Sequence, residues 1–386
     1  MSATETVVIT AAARTPFGKF GGALKPLTAP QLGSLAIAEA LDRAGISPDQ
    51  VDEVVMGEVI AAGQGQIPAR QAALGAGIPA SCPVVSVNKV CGSALKAVTL
   101  ATQIIKAGDA QVVVAGGMES MSNVPYLLPA ARWGARMNNA PMVDAMVLDG
   151  LWCPQNDVHM AVIGGAVASE YGVTREMQDA WALRSQQRWA QAEAGGVHDA
   201  ERFAVEVPAG RGKTTSVDRD EAPRPDTTAE GLAKLAPLFV EDGTVTAGNA
   251  PGTNDGAAAV VLMTRSKAEQ LGAPILATIR GYAQVSDEPR YIATVPGLAI
   301  QAIMNLHGLD LDDFDLIEIN EAFAAVPLVS CLNVLGMEAS DMERKVNPNG
   351  GAVAVGHPIG ATGARILMSL VFELLRQNKR HGVAAI

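Results

Sequence analysis

An α/β architecture built from two similar halves is what this sequence predicts, and three observations predict it. The 386 residues are 48% hydrophobic and 18% charged and include 39 glycines, which suits a packed α/β protein with many tight strand-to-helix turns. Strand-like and helix-like runs alternate through the first third of the chain. The same order then returns near the C-terminus, in a chain too long for one ordinary core.

Val7 to Ala12 reads as a buried strand, and Leu32, Leu35, Ala36, Ala40 and Leu41 mark one face of a helix that Gly45 can stop. Val51 to Ile60 reads as the next strand, followed by a short helix around Ala69 to Ala76. Pro83 to Val87 is short and β-branched, Leu95 to Ile105 is helical, and Gln111 to Ala115 is a strand ending in Gly116-Gly117. This β-α-β-α-β-α-β order implies a mainly parallel sheet with helices on both faces, because parallel strands need crossover connections and right-handed ones predominate. Ligands of such sheets sit at the carboxyl ends of the strands.

From Ser120 to about Thr244 the alternation breaks into stretches rich in Pro, Asn, Trp and Arg, with one clear helix (Thr174 to Ala194) and a Pro-Arg-Pro loop at Pro223 to Pro225. An inserted lobe is expected there. The repeat follows it: Pro48 to Gly57 parallels Leu311 to Asn320, and Val87-Asn88 before a helix parallels Val346-Asn347 before the Ile366 to Leu375 helix. Ala110 to Val114 likewise parallels Gly382 to Ile386. The expected division is an N-terminal half at 1–119 and 246–271, an inserted loop domain at 120–245, and a C-terminal half at 272–386. In the first half a further strand, Ala257 to Met263, completes the sheet, whereas the second half stops at Ile386 inside the matching strand. An open sheet edge is an aggregation hazard, so the C-terminal half is expected to lack its final segment.

A net charge of −11 argues against a surface made for nucleic acid or anionic lipid. No apolar run approaches the roughly 18 residues of a membrane span, and Met1 to Thr15 reads as a polar tail entering a strand, so a cytoplasmic location is expected. The four cysteines, Cys82, Cys91, Cys153 and Cys331, show neither C-x-x-C spacing nor a disulfide framework, and no metal is expected. Each thiol is then a small buried residue or a nucleophile.

Cys91 lies between a short strand and a helix, where unpaired amides and the helix dipole favour a thiolate; the competing reading is a buried small residue. His357 lies on the Gly- and Pro-shaped loop Gly350 to Gly363 ahead of a helix. A lone histidine is more often structural, but this one occupies the counterpart of the Cys91 turn. Asn320, in Asn320-Glu321-Ala322-Phe323-Ala324, either caps a helix or polarises a carbonyl, directly or through a water.

The stretch Asn88 to Ala94 (N-K-V-C-G-S-A), N-E-A-F-A from Asn320, G-H-P-I-G-A-T-G-A-R from Gly356 and A-x-R-T-P-F-G from Ala12 stand in the order of thiolase motifs. Over its whole length, including Thr246 to Ala250 and His159-Met160, the chain resembles the thiolase family. The resemblance implies a five-layered α-β-α-β-α core of two βαβαβαββ halves. It also implies Cys91 as the acylated nucleophile, His357 as its activator, and Asn320 as the holder of a water that forms an oxyanion hole with His357. His159, Met160, Arg224, Ala250 and Phe323 match positions lining the acyl and CoA sites. Acyl-CoA and CoA would be substrates with no separate cofactor, and the assembly would be a homodimer or homotetramer.

Three departures from the family pattern stand out. Pro251 replaces a common serine of N-A-S-G, Ala94 replaces a common glycine, and the C-x-G motif carrying a second catalytic cysteine is expected beyond Ile386. The chemistry implied is Claisen condensation of two acetyl-CoA, or the reverse thiolysis of a 3-ketoacyl-CoA, through a Cys91 acyl enzyme. The rival readings are another condensing enzyme of the superfamily and an acyl-CoA-binding protein without turnover.

Overall fold

A computed structural model describes residues 5–386; the part of the expected polar tail at Met1 to Thr4 lies outside them. The first part of the chain alternates β1 (Val7–Arg14), α1 (Ala29–Ala44), β2 (Glu53–Gly57), α2 (Pro68–Gly75), β3 (Val84–Val87), α3 (Ser93–Ala107) and β4 (Val112–Ser120). Helix α1 starts in a capping box between Thr28 and Gln31, with Pro30 in its first turn, and ends at Gly45, whose φ of 68° few other residues would tolerate. The inserted lobe carries α4 (Met160–Glu170) and α5 (Arg175–Ala194). Then follow β5 (Asn254–Thr264), β6 (Ala277–Thr278), α6 (Val295–His307), β7 (Leu316–Ile319), α7 (Thr362–Arg376) and β8 (Gly382–Ala385).

The larger sheet runs β6-β1-β5-β4-β2-β3. Its β4-β2 and β2-β3 pairs are parallel, but β5 lies antiparallel between β1 and β4, and β6 is antiparallel to β1. The expectation of a mainly parallel sheet is therefore corrected to a mixed one. Strand β5 enters from the inserted lobe and not through a single helical crossover, so no crossover constrains its direction. Side chains alternate across this sheet. Val8, Val54, Val114 and Val261 pack under α1 and α2, while Ile9, Val55, Val113 and Val260 pack against α3 and α7.

Beyond α7 lies a small parallel sheet of β7 and β8. Its outer face joins Ile163 and Val167 of α4 and Ile300 of α6 in a second core. The layers are thus α1/α2, large sheet, α3/α7, small sheet, α4/α6, the five-layered core expected. The repeat is also visible in space: β7 pairs with β8 as β2 pairs with β4, and Val346 bridges to Ile317 as β3 pairs with β2.

Three further local expectations are corrected. Strand β2 stops at Gly57 and not at Ile60, because the Val59 and Ile60 amides turn to the Glu119 carboxylate. Strand β4 continues through Gly116-Gly117 to Ser120; a Cβ on Gly116 would lie 2.1 Å from the Ala258 carbonyl oxygen, and one on Gly117 1.9 Å from that of Gly360. These glycines mark close approach, not a turn. The lobe holds a second long helix, α4, hidden in the sequence by Gly164-Gly165, each about 1 kcal/mol worse than alanine in a helix. Gly164 is where the Phe323 ring presses in, since a Cβ there would be 2.7 Å from ring carbon Cδ2.

The A-x-R-T-P-F-G stretch ties lobe to core. The buried Arg14 guanidinium donates from Nε to Glu201 Oε1 at 2.8 Å and from both terminal nitrogens to Asp220, at 2.7 and 3.0 Å. Removing one partner of such a set leaves a buried charge uncompensated, at about 3–5 kcal/mol.

Helices α3 and α7 lie side by side between the sheets, and a Cβ on Gly363 would fall 2.5 Å from the Leu95 backbone nitrogen. Gly363→Ala is expected to lower stability by about 1–3 kcal/mol through overpacking. Urea unfolding followed by circular dichroism reads this as a lower midpoint; a midpoint equal to wild type would show slack between the helices.

Candidate active site

Cys91 immediately precedes the first turn of α3, and His357 lies on the turn that leads into α7. The packing of those two helices brings Cys91 Sγ to 3.1 Å from His357 Nε2. The turn carrying the thiol is strained: Val90 has φ 48°, a left-handed conformation that costs a β-branched residue about 1–3 kcal/mol. Asn88 and Ser93 hold it there. Asn88 Oδ1 accepts from the Val90 amide at 2.9 Å and its Nδ2 donates to the Val59 carbonyl at 3.1 Å. Ser93 Oγ accepts from the Lys89 amide at 2.8 Å and donates to the Val90 carbonyl at 2.6 Å. Neither residue stood out in the sequence as a positioning group; the signal was their placing three before and two after the cysteine.

His357 is fixed from its backbone and its ring. Gly356 before it has φ 102°, and a Cβ there would be 2.4 Å from Asn254 Cγ. That asparagine accepts from the His357 amide at 2.8 Å and donates to the Gly18 carbonyl at 2.9 Å. Ring Nδ1 lies 2.7 Å from Thr362 Oγ1, whose hydroxyl donates to the Pro358 carbonyl at 2.9 Å. With its single proton used, Thr362 accepts from Nδ1–H, so the lone pair of Nε2 faces the thiol.

Asn320 lies at the end of β7 with Nδ2 3.4 Å from His357 Nε2 and with Oδ1 buried without a protein partner. It caps no helix, because the helical turn after it begins only at Ala325. Of the two readings the sequence left open, the cap is excluded.

Burial dominates the electrostatics. It pushes His357 down to about 3, with the Arg365 charge adding to the effect. Burial also pushes Cys91 up to about 11, helped by the charge of Glu119 and opposed by a backbone hydrogen bond. The expectation of a thiolate favoured by the helix start is corrected: at neutral pH the pair is a thiol and a neutral imidazole. Cys91 nonetheless keeps a face open to the cavity.

That cavity measures about 1290 Å³ and is lined by Cys91, Asn320 and His357, and also by His159, Met160, Ala250 and Phe323. Seven of the eight residues singled out from the sequence therefore meet in one place. Arg224 does not: its side chain is exposed on the Pro223–Pro225 loop, and its backbone amide donates to Gln186. His159 Nδ1 accepts from the Ala161 amide at 3.1 Å, which leaves the proton on Nε2. Its ring stacks at 4.0 Å on Phe239, an exposed aromatic with φ 66° on the cavity wall that the sequence did not suggest. Cys331 is fully buried and pushed up to about 12. Cys153 reaches the cavity but faces Gln155 and Asn156, without an imidazole partner. No cluster of three or more His, Cys, Asp or Glu among the described residues is arranged to hold a metal ion.

Residues 7–266 match the family described as "Thiolase, N-terminal domain" and residues 273–386 match "Thiolase, C-terminal domain". The chain is 48% identical to an acetyl-CoA acetyltransferase of Pseudomonas aeruginosa over 99% of this chain and 96% of that protein. It is also 48% identical to a probable acetyl-CoA acetyltransferase of Escherichia coli, over 98% and 95% of the two chains. Among solved structures, the Bacillus anthracis acetyl-CoA acetyltransferase superposes with a TM-score of 0.95 at 40% identity, covering 100% of this chain and 97% of that one. With both family matches spanning nearly the whole sequence and the fold agreeing throughout, this chain belongs to the thiolase family.

Proposed function

We propose that the chain is a thiolase-type acyl-CoA acyltransferase that condenses two acetyl-CoA to acetoacetyl-CoA, or runs the reverse thiolysis, through an acyl group carried on Cys91. The observation that carries this reading is the thiol lying 3.1 Å from an imidazole nitrogen whose proton is held on the opposite side of the ring by Thr362.

In the first half-reaction the Cys91 proton passes to His357 Nε2 as Sγ bonds to the thioester carbonyl carbon. The carbon–sulfur bond to CoA then breaks, and the departing sulfur takes that proton back from Nε2. Both groups end neutral, which suits a site that penalises charge. Asn320 Oδ1, buried without a protein partner, is free to hold a water, and that water would donate to the enolate oxygen of the second thioester. In this reading a second thiolate, of the kind the family's C-x-G motif supplies, takes the α-proton of that thioester; the enolate carbon then bonds to the acyl carbon as the Cys91 Sγ–carbon bond breaks, and Sγ regains a proton from the thiol so formed. His159, Met160, Ala250 and Phe323 form the cavity wall along which acyl chain and pantetheine would lie. CoA thioesters are then the substrates, without a separate cofactor.

A cytoplasmic homo-oligomer completes the proposal. No helix among the described residues is long and apolar enough to cross a membrane. Tyr126, Leu128, Trp133, Met137 and Met142 are exposed on the inserted lobe, with Trp133 82% and Met137 85% accessible, a patch suited to a second copy.

Incubation with acetyl-CoA followed by peptide mass spectrometry should place the acetyl group on Cys91 and not on Cys82, Cys153 or Cys331; acetylation elsewhere would end this reading. His357→Ala should slow acylation by about 10²- to 10³-fold while the fold persists. Thr362→Val should lower kcat by about tenfold or more with little change in KM, because it frees the ring to change tautomer. Normal kinetics in that variant would show that Nε2 is held another way.

The raised Cys91 and lowered His357 values give a pH signature. A thiol raised to about 11 yields thiolate only as pH climbs toward that value, so Cys91 alkylation by iodoacetamide should keep rising above pH 9. A plateau reached below pH 8 would instead reveal a thiolate–imidazolium pair.

A further inference from the structure

Glu119, at the end of β4, is wholly buried and is given no part in the chemistry above. Its carboxylate accepts three backbone amides from two different loops: Val59 on Oε2 at 3.1 Å, Ile60 on Oε1 at 3.2 Å, and Gly360 on Oε2 at 3.0 Å. Gly360 belongs to the loop that carries His357. Val59 belongs to the loop whose carbonyl accepts from Asn88, and Asn88 in turn holds the Val90 amide beside Cys91. One carboxylate therefore connects, through two short hydrogen-bonded chains, the backbone of the base and the backbone of the nucleophile. The fit is close, since a Cβ on Gly360 would lie 2.9 Å from Glu119 Oε2 and 2.3 Å from the Met118 carbonyl oxygen.

We propose that Glu119 is a positioning residue that sets the separation of Cys91 and His357 by clamping the Val59–Ile60 and Gly360 amides together. This rests on the acyl-transfer reading of the site. Three N–H donors need an acceptor-only group with two oxygens, which a carboxylate provides and an amide does not. The adjacent side chain supports this. Glu58 is buried, both its oxygens lack partners, and burial together with the Glu119 charge pushes it up to about 8. Glu119, raised by burial to about 7, is held lower by its three backbone donors. Of the two carboxyls, Glu58 thus keeps its proton more readily and leaves Glu119 the better acceptor.

Glu119→Gln tests the clamp. The glutamine is the same size but has one acceptor oxygen, and its NH2 group must face either the Ile60 amide or the Val59 and Gly360 amides. The expected result is a fall of about tenfold or more in kcat for acetoacetyl-CoA thiolysis, with KM within about threefold of wild type, because small misplacement of reacting groups is costly. The rate of Cys91 alkylation by iodoacetamide should fall in step, with circular dichroism and cooperative melting retained. Glu58→Gln, which removes the neighbouring carboxyl but no hydrogen bond, should match wild type in both assays. Glu119→Gln with wild-type kcat and labelling would overturn the proposal, as would an equal loss in Glu58→Gln. If Glu119→Gln does not fold, Glu119→Asp decides: it keeps the charge but is one methylene too short to reach both loops, so a folded protein with wild-type kcat overturns the clamp. Failure of both variants to fold would make Glu119 a folding residue and not a positioning one. Alkylation needs no substrate, so a wild type that labels quickly on Cys91 yet never turns over would fail the acyl-transfer reading and leave the clamp standing.

Discussion

The contact on which the rest of this molecule depends is the packing of the first turn of α3 against the first turn of α7. Gly363 meets the Leu95 backbone, Gly57 lies against the Ala94 and Ser93 backbone, and Gly117 lies against the Gly360 carbonyl, each so close that a Cβ would collide. The two helices occupy corresponding places in the two halves, so the turn before one faces the turn before the other. Cys91 and His357 stand on those turns. Their 3.1 Å separation rests on this central layer, with the loops that lead into it held together by the Glu119 carboxylate.

Burial of that meeting point decides the chemistry. A helix start can favour an anion by about 0.3–1 kcal/mol, or about 2 at best, while stripping water from an ion costs several kcal/mol. Desolvation wins here, and Cys91 and His357 both rest neutral. A neutral pair needs its proton on the right atom. Thr362 supplies that condition, because its own donation to the Pro358 carbonyl leaves it only an acceptor for Nδ1–H. The site is held ready by hydrogen bonds to neutral groups, with the Glu119 carboxylate, whose charge is felt at Cys91, turned toward backbone amides.

What could be read from the sequence followed from short-range physics. Short, continuous apolar and β-branched runs located β1 and β4, the apolar face and Gly45 located α1, and the recurrence of Val87-Asn88 as Val346-Asn347 announced two related halves. Seven of eight candidate residues line one cavity because motif order survives folding. What could not be read depended on partners distant in the chain. The direction of β5 is set by a lobe of more than a hundred residues. Gly116-Gly117 looked like a stop because the reason for two glycines, the Ala258 and Gly360 carbonyls, lies 142 and 243 residues away. Val90 at positive φ runs against its own propensity and is tolerated only because Asn88 and Ser93 hold the turn. Phe239 in a strained, exposed conformation is the same kind of exception.

The parts of the site come from different stretches of the chain. Cys91 and His357 come from the two central helices, whereas His159, Met160 and Phe239, which shape the far wall of the cavity, come from the inserted lobe. A wall carried on the long insertion between β4 and β5 is useful only if that insertion is registered on the core, and besides the apolar packing of α4 two buried side chains, Arg14 and Glu321, do this. Arg14 of β1 holds Glu201 and Asp220. Glu321, next to Asn320, accepts from Trp181 Nε1 at 2.9 Å and Ser185 Oγ at 2.8 Å of α5, and also from Asn347 Nδ2 and the Val353 amide. The second set pins the lobe's long helix at the residue beside a candidate catalytic side chain. Displacing α5 would therefore move Asn320 as well as the cavity wall, which couples the fit of the acyl group to the alignment of the reacting atoms.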